Sequence, residues 1–178
     1  SEMCIRDRSM TINTDFAETE VDDRQINLTR FPIRFPEKRD FFLEGANIYQ
    51  FAPRSGVYPY FSRKIGLQSG NPVPILFGGR IIGKIGKVEV AAQQVKTRET
   101  SSLNSEDFSV IRLKQNFWKE SSVGVLYTRR HTSKGNEINP PLPDRNTLGV
   151  DLTLNTSTFL KNQNLQFQAF AIFHNPNT

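Results

Sequence analysis

Asn146-Thr147-Leu148-Gly149-Val150-Asp151-Leu152-Thr153-Leu154-Asn155-Thr156 alternates between apolar and small or polar residues along its whole length. Leu148, Val150, Leu152 and Leu154 fall on one side, with Thr147, Gly149, Asp151, Thr153 and Asn155 on the other. A period of two belongs to a strand with one apolar and one polar face. Length narrows the class further. Globular strands average about 5–6 residues, whereas a strand crossing a bilayer at a tilt of about 45° needs about 9–11.

The same grammar extends in both directions. Lys161-Asn162-Gln163 forms a short turn, and residues 164–174 return. Leu165, Phe167, Ala169, Ala171 and Phe173 then oppose Gln166, Gln168 and His174, although Phe170 and Ile172 share the polar side. Toward the N-terminus lie strands at residues 121–129, 108–116, 88–97 and 80–85. Gly86-Lys87 and Phe117-Trp118-Lys119-Glu120 make short turns, while a polar stretch after Thr97 and the proline-rich residues 139–144 make long loops. Connections that run short, long, short, long, short are those of an up-and-down membrane barrel. Phe108 and Val110 fall on the same side as Arg112 and Lys114, which predicts a bulge near that loop. Trp118 and Phe159 stand beside short turns, where aromatic girdles anchor barrels.

The expected fold is all-β: an antiparallel up-and-down meander, part of an outer-membrane β-barrel, preceded by an irregular segment with short helical turns. Its inward face is expected to carry Arg80, Lys84, Arg112 and Lys114, opposed by Glu89 and Asp151. Such charges tune anion passage or pair with acids, and pairing is the preferred reading.

Residues 10–60 read differently, being dense in charge, proline and phenylalanine. Asp22 and Asp23 precede a short helical pattern stopped by Pro32. Pro36 to Gly45 repeats it, with proline and acid at the start and glycine at the end, which suits one or two turns. Phe31, Phe35, Phe41, Phe42 and Phe51 are expected to form a small packed cluster. In particular Phe35, Phe41, Phe42 and Leu43 should bury together as a plug, with Glu37, Arg39 and Glu44 in ion pairs to inward-facing residues. Residues 1–9, beginning Ser1-Glu2-Met3-Cys4-Ile5-Arg6-Asp7-Arg8, look like translated adapter read-through and are set aside. The division expected is thus a leader at 1–9, a plug-like segment at 10–60 and the first strands of an incomplete barrel at 61–178.

Thr14-Asp15-Phe16-Ala17-Glu18-Thr19-Glu20-Val21-Asp22, Asn27-Leu28-Thr29-Arg30-Phe31 and Phe35-Pro36-Glu37-Lys38-Arg39-Asp40-Phe41-Phe42-Leu43-Glu44-Gly45 carry a resemblance, continued by Tyr60 to Gly66 and Gly78 to Gly83. The chain resembles bacterial surface proteins, with a domain of unknown function, that join a module similar to carbohydrate-binding family 9 to an outer-membrane barrel. That resemblance implies a Gram-negative outer membrane, lipid as a partner, and glycans bound through an upstream module lacking here. It implies no catalytic residues.

Chemistry in the sequence is sparse. The charge of +5 comes from 23 basic and 18 acidic residues, scattered without a recognition motif, so no nucleic-acid partner is expected. Cys4 is the one cysteine, and no metal-ligand spacing or cofactor motif occurs. Glu18, Glu20, Asp22 and Asp23 lack the turn glycine of a calcium loop. Glu37 and Glu44 are two acids of the kind glycoside hydrolysis uses, but capping and ion pairing with Arg39 or Arg63 explain them more simply. His131 and His174 have no motif around them, and Ser62, Ser109 and Ser122 lack elbow glycines. The function expected is structural, transport or surface binding. The alternatives are a soluble β-rich carbohydrate-binding domain and, behind it, a glycoside hydrolase.

Overall fold

The structure, a computed structural model, describes residues 3–12, 36–68, 71–100, 104–118, 120–133, 143–159 and 163–176. Strand β1 (Met3–Ile12) forms one edge of a seven-stranded sheet, while β2 (Leu67–Gln68) and β3 (Asn71–Pro72) pair only with each other. From β1 the sheet continues through β4 (Ile75–Ile85), β5 (Val88–Thr97), β6 (Glu106–Phe117), β7 (Ser121–Thr132), β8 (Arg145–Phe159) and β9 (Gln163–Pro176). Each strand from β4 to β9 pairs antiparallel with its successor, so the architecture is an open, up-and-down, all-β sheet. The short turn between β4 and β5 holds Gly86 at φ 59°.

One local expectation is corrected. No register shift occurs around Phe108 and Val110, which pair regularly with Val95 and Gln93. They lie on the charged side because an inserted segment covers it and needs apolar contacts there. The shifts fall instead between Ile75 and Phe77 and between Thr156 and Phe159. Residues 3–12 run as β1 along β4 from Met3 opposite Ile85 to Ile12 opposite Phe77, using the free backbone groups of that edge.

The two faces of the sheet differ in what they meet: one is packed beneath an inserted segment and the other is open and apolar. Directly paired positions on the outer face form rows across the strands: Ile81, Ala92, Ile111, Tyr127, Leu148, Phe173; then Gly83, Val90, Leu113, Val125, Val150, Ala171; then Ile85, Val88, Gln115, Val123, Leu152, Ala169. No position in these rows is charged. Ile81, Ile111, Leu113, Leu148 and Val150 are exposed, and Phe173 is 64% exposed. At the long-loop end the next row is polar, with Gln94, Ser109, Arg129 and Asn146. At the short-turn end stands Trp118, 80% exposed, its ring packed edgewise on Phe117 at 5.3 Å. The side chain of Phe159, the other expected girdle residue, lies outside the described residues. From Ile111 to Phe117 the apolar part of β6 is about 20 Å long at about 3.4 Å per residue.

The opposite face is covered by residues 36–74, which turn back and forth across it. Arg39 is extended and precedes α1 (Asp40–Leu43), and Gly45 at φ 67° takes the left-handed conformation that ends the turn. The helix begins at Asp40 rather than at Pro36, because Glu37 and Arg39 are occupied in contacts that need an extended chain. A 3-10 turn at Ala46–Tyr49 then brings Ile48, Tyr49, Phe51 and Ala52 against Ile82, Ala91, Val110 and Leu126. A second buried group joins Phe42 and Ile65 to Ile75 and Val95, with Phe41, Tyr60 and Phe108 packed on it.

Candidate functional site

Three polar arrangements lie on or against the covered face. The first ties the inserted segment to itself. Glu37 is gripped by the Arg39 guanidinium, which donates from Nε to Oε1 and from Nη2 to Oε2, each at 2.8 Å. The Ser62 hydroxyl donates to the same carboxylate at 2.6 Å. Arg39 also donates to the carbonyls of Ile65 at 2.6 Å and Ser62 at 2.8 Å, and stacks on the Phe42 ring at 4.2 Å. Charge-assisted bonds of this kind are the strong ones. They lock residues 37–39 to residues 62–65 across the intervening loop.

Burial raises the Glu37 pKa, but the bonds from Arg39 and Ser62 outweigh it and hold this carboxyl below the usual carboxylate value of 4.5. The folded pKa is depressed, so the stabilisation is complete above the unfolded value and disappears as pH falls through the folded one. Amide protection across residues 36–65, taken relative to the intrinsic exchange rate at each pH, should therefore be high at pH 6 and fall below pH of about 4. Protection that stays constant down to pH 3 would remove Glu37 from this role.

The second arrangement anchors the inserted segment to the sheet. Arg80, on β4, donates from Nη1 to the carbonyls of Phe41 at 2.5 Å and Glu44 at 2.6 Å, and from Nη2 to the Glu44 carboxylate. Its guanidinium sits 5.4 Å from the centre of the Phe41 ring. Further along, Arg112 on β6 makes a forked pair with Asp151 on β8, Nη1 to Oδ1 at 2.5 Å and Nη2 to Oδ2 at 3.0 Å. The Arg112 side chain is 1% exposed. The pair spans β7 over Gly124, where any side chain would collide, since a Cβ would lie 2.7 Å from the Arg112 nitrogens. Gly149 does the same for Phe51, whose ring a Cβ there would meet at 2.6 Å.

Arg80, Lys84, Glu89, Arg112, Lys114 and Asp151 lie on one face of the sheet. They divide by depth. Arg80, Arg112 and Asp151 are buried beneath the inserted segment, whereas Lys84, Glu89 and Lys114 stand toward the short-turn end. Asn116 donates to Glu89 at 3.0 Å there.

The expected plug cluster is rearranged. Phe42 is buried and Phe41 half-buried, but Leu43 is 45% exposed because the helical turn points it away from the sheet. Phe35 lies outside the described residues, as do Phe31, the short helix expected after Asp23 and the acids from Glu18 to Asp23. Of the expected ion-pairing residues, Glu44 reaches a sheet arginine, while Glu37 and Arg39 pair with each other. The principal contacts to the sheet come from Ile48, Tyr49, Phe51 and Ala52. The spacing of Ile48 and Phe51 was a usable signal, but one that shares its form with any amphipathic turn.

The third arrangement is a cavity of about 630 Å³ at the long-loop end, between residues 58–67 and strands β5 to β9. Lys64, Glu106, Arg130, Arg145, Tyr60 and Phe108 line it. Tyr60 is partly buried, and its desolvation pushes the phenol well above the ordinary value. A smaller cavity of about 270 Å³ lies at the other end, beside Arg112 and Asp151. The inserted segment separates the two. Among the described residues no group of three His, Cys, Asp or Glu side chains could hold a metal ion, and no helix is long and apolar enough to cross a membrane. Among the described residues Glu106 is the one carboxylate that lines the larger cavity, and Asp151, which lines the smaller one together with Glu120, is taken up by Arg112.

A family model described as a domain of unknown function, DUF5916, matches residues 8–75. The match covers the inserted segment, including Glu37, Arg39, Phe42 and Glu44, and stops where β4 begins. Neither a search of curated proteins nor one of solved structures finds a match.

Proposed function

We propose that β4 to β9 are wall strands of an outer-membrane β-barrel, and that residues 36–74 form a plug seated against the inward face. One observation carries the reading: the face that holds Arg80, Arg112 and Asp151 is the covered one, and the open face is an uncharged apolar belt. In water this arrangement is costly, since large contiguous apolar patches are rare on soluble domains. Against lipid it is the arrangement required, because a membrane barrel alternates lipid-facing apolar residues with polar interior ones inside a belt about 25 Å tall. Connections that alternate short and long agree with it. A bilayer tolerates no unpaired backbone, so the reading requires the free edges of β1 and β9 to be covered by further strands.

In this reading the protein is a membrane wall with an obstructed interior, suited to a structural, transport or surface-binding role rather than to catalysis. Any part played in handling glycans rests on sequence resemblance alone. The expected result is that the protein, folded from urea into phosphatidylcholine vesicles, resists alkaline carbonate extraction and migrates differently on gels before and after boiling. Release by carbonate, with a single band in both conditions, would favour the soluble β-rich alternative.

A further inference from the structure

Arg130 on β7 and Arg145 on β8 are directly opposite one another in register, and both line the cavity of about 630 Å³. Like charges placed directly opposite on neighbouring strands destabilise a sheet, so this pair calls for a counter-charge. The protein supplies little of it. Glu106 is the nearest acid to Arg130, at 3.9 Å, too far for a hydrogen bond. The Arg130 Nε and the Glu106 Oε1 are both buried without a hydrogen-bond partner. Among the described residues Arg145 has no ion pair, and its sequence neighbour Asp144 is engaged by His131 at 2.8 Å. Lys64 adds a further cation to the lining, against the single carboxylate of Glu106.

We propose that this cavity binds a small organic anion, an oxyanion carried on a ring, with the oxygens held between Arg130 and Arg145. Guanidinium groups present donors in a planar fork that matches the oxygens of a carboxylate or phosphate. Tyr60 and Phe108 supply the apolar wall against which a ring packs, and the volume falls within the range of small-molecule sites. Bound there, the anion offsets the repulsion between the arginines and occupies the mouth above the inserted segment. The inference does not depend on whether the outer face meets lipid, since every residue it uses lies on the covered face.

The test uses phenyl phosphate as probe, with benzoate, phenol and inorganic phosphate as comparisons, titrated calorimetrically into the purified protein. Phenyl phosphate and benzoate are expected to bind, inorganic phosphate more weakly, and phenol not at all. Arg130→Gln and Arg145→Gln should each weaken phenyl phosphate by about tenfold or more, the loss expected for one charge-assisted contact. Glu106→Gln removes the competing carboxylate without changing shape, and should tighten binding. That opposite sign separates a site effect from general damage to the fold. Phenol binding as well as phenyl phosphate, either arginine variant retaining full affinity, or Glu106→Gln weakening binding as the arginine variants do would each overturn the proposal.

Discussion

Replacing Asp151 with alanine is expected to destabilise the fold by about 3–5 kcal/mol, the usual cost of leaving a buried charge without its partner. Arg112 is 1% exposed and directs both terminal nitrogens at Asp151, while its Nε has no hydrogen-bond partner. The Phe51 ring, 5.8 Å from the guanidinium carbon, closes one side and Gly124 the other. Without the carboxylate, the guanidinium has no second acid within ion-pairing distance among the described residues. The double variant Arg112→Met, Asp151→Leu removes both charges and should recover most of the loss, because paired buried ions are often replaceable by apolar groups of similar volume. Urea unfolding of the two variants beside the parent protein measures both effects. A single variant costing less than about 1 kcal/mol would mean that water reaches Arg112 and solvates it.

Leu152→Arg is expected to destabilise the inserted protein, by about 2–4 kcal/mol if the Leu152 row sits near the bilayer midplane and by less toward an interface. Leu152 belongs to the outer row that contains Ile85, Val88, Val123 and Ala169, between the polar row at Arg129 and the turn at Trp118. If that face met water instead, the same change would fall within the roughly ±0.5 kcal/mol typical of surface substitutions. Folding into vesicles at graded urea concentrations distinguishes the two. Arg129→Leu, at the polar rim of the same face, serves as a control that should leave insertion intact.

The period-two alternation of residues 80–174, and the alternation of turn lengths, are properties of neighbouring residues. They were legible in the sequence because a strand's side-chain directions follow from its own backbone and need no partner. From them came the order of pairing, the outward placement of Val150, Leu152 and Phe167, and the common face of Arg80, Arg112 and Asp151. What covers that face is a different kind of fact. Phe108 and Val110 looked irregular because their partners, the buried groups around Phe42 and Phe51, lie in a segment with no period. The pairing of Arg112 with Asp151 depends on two strand registers and on the space over Gly124, and the opposition of Arg130 and Arg145 on the second of those registers. Leu43 shows the same limit from the other side: its composition favours burial, but the direction of a single helical turn decides its exposure. Alternation is set residue by residue along the chain. Contact between distant side chains is set only when strands and inserted segment are packed together, and there the tertiary structure alone decided.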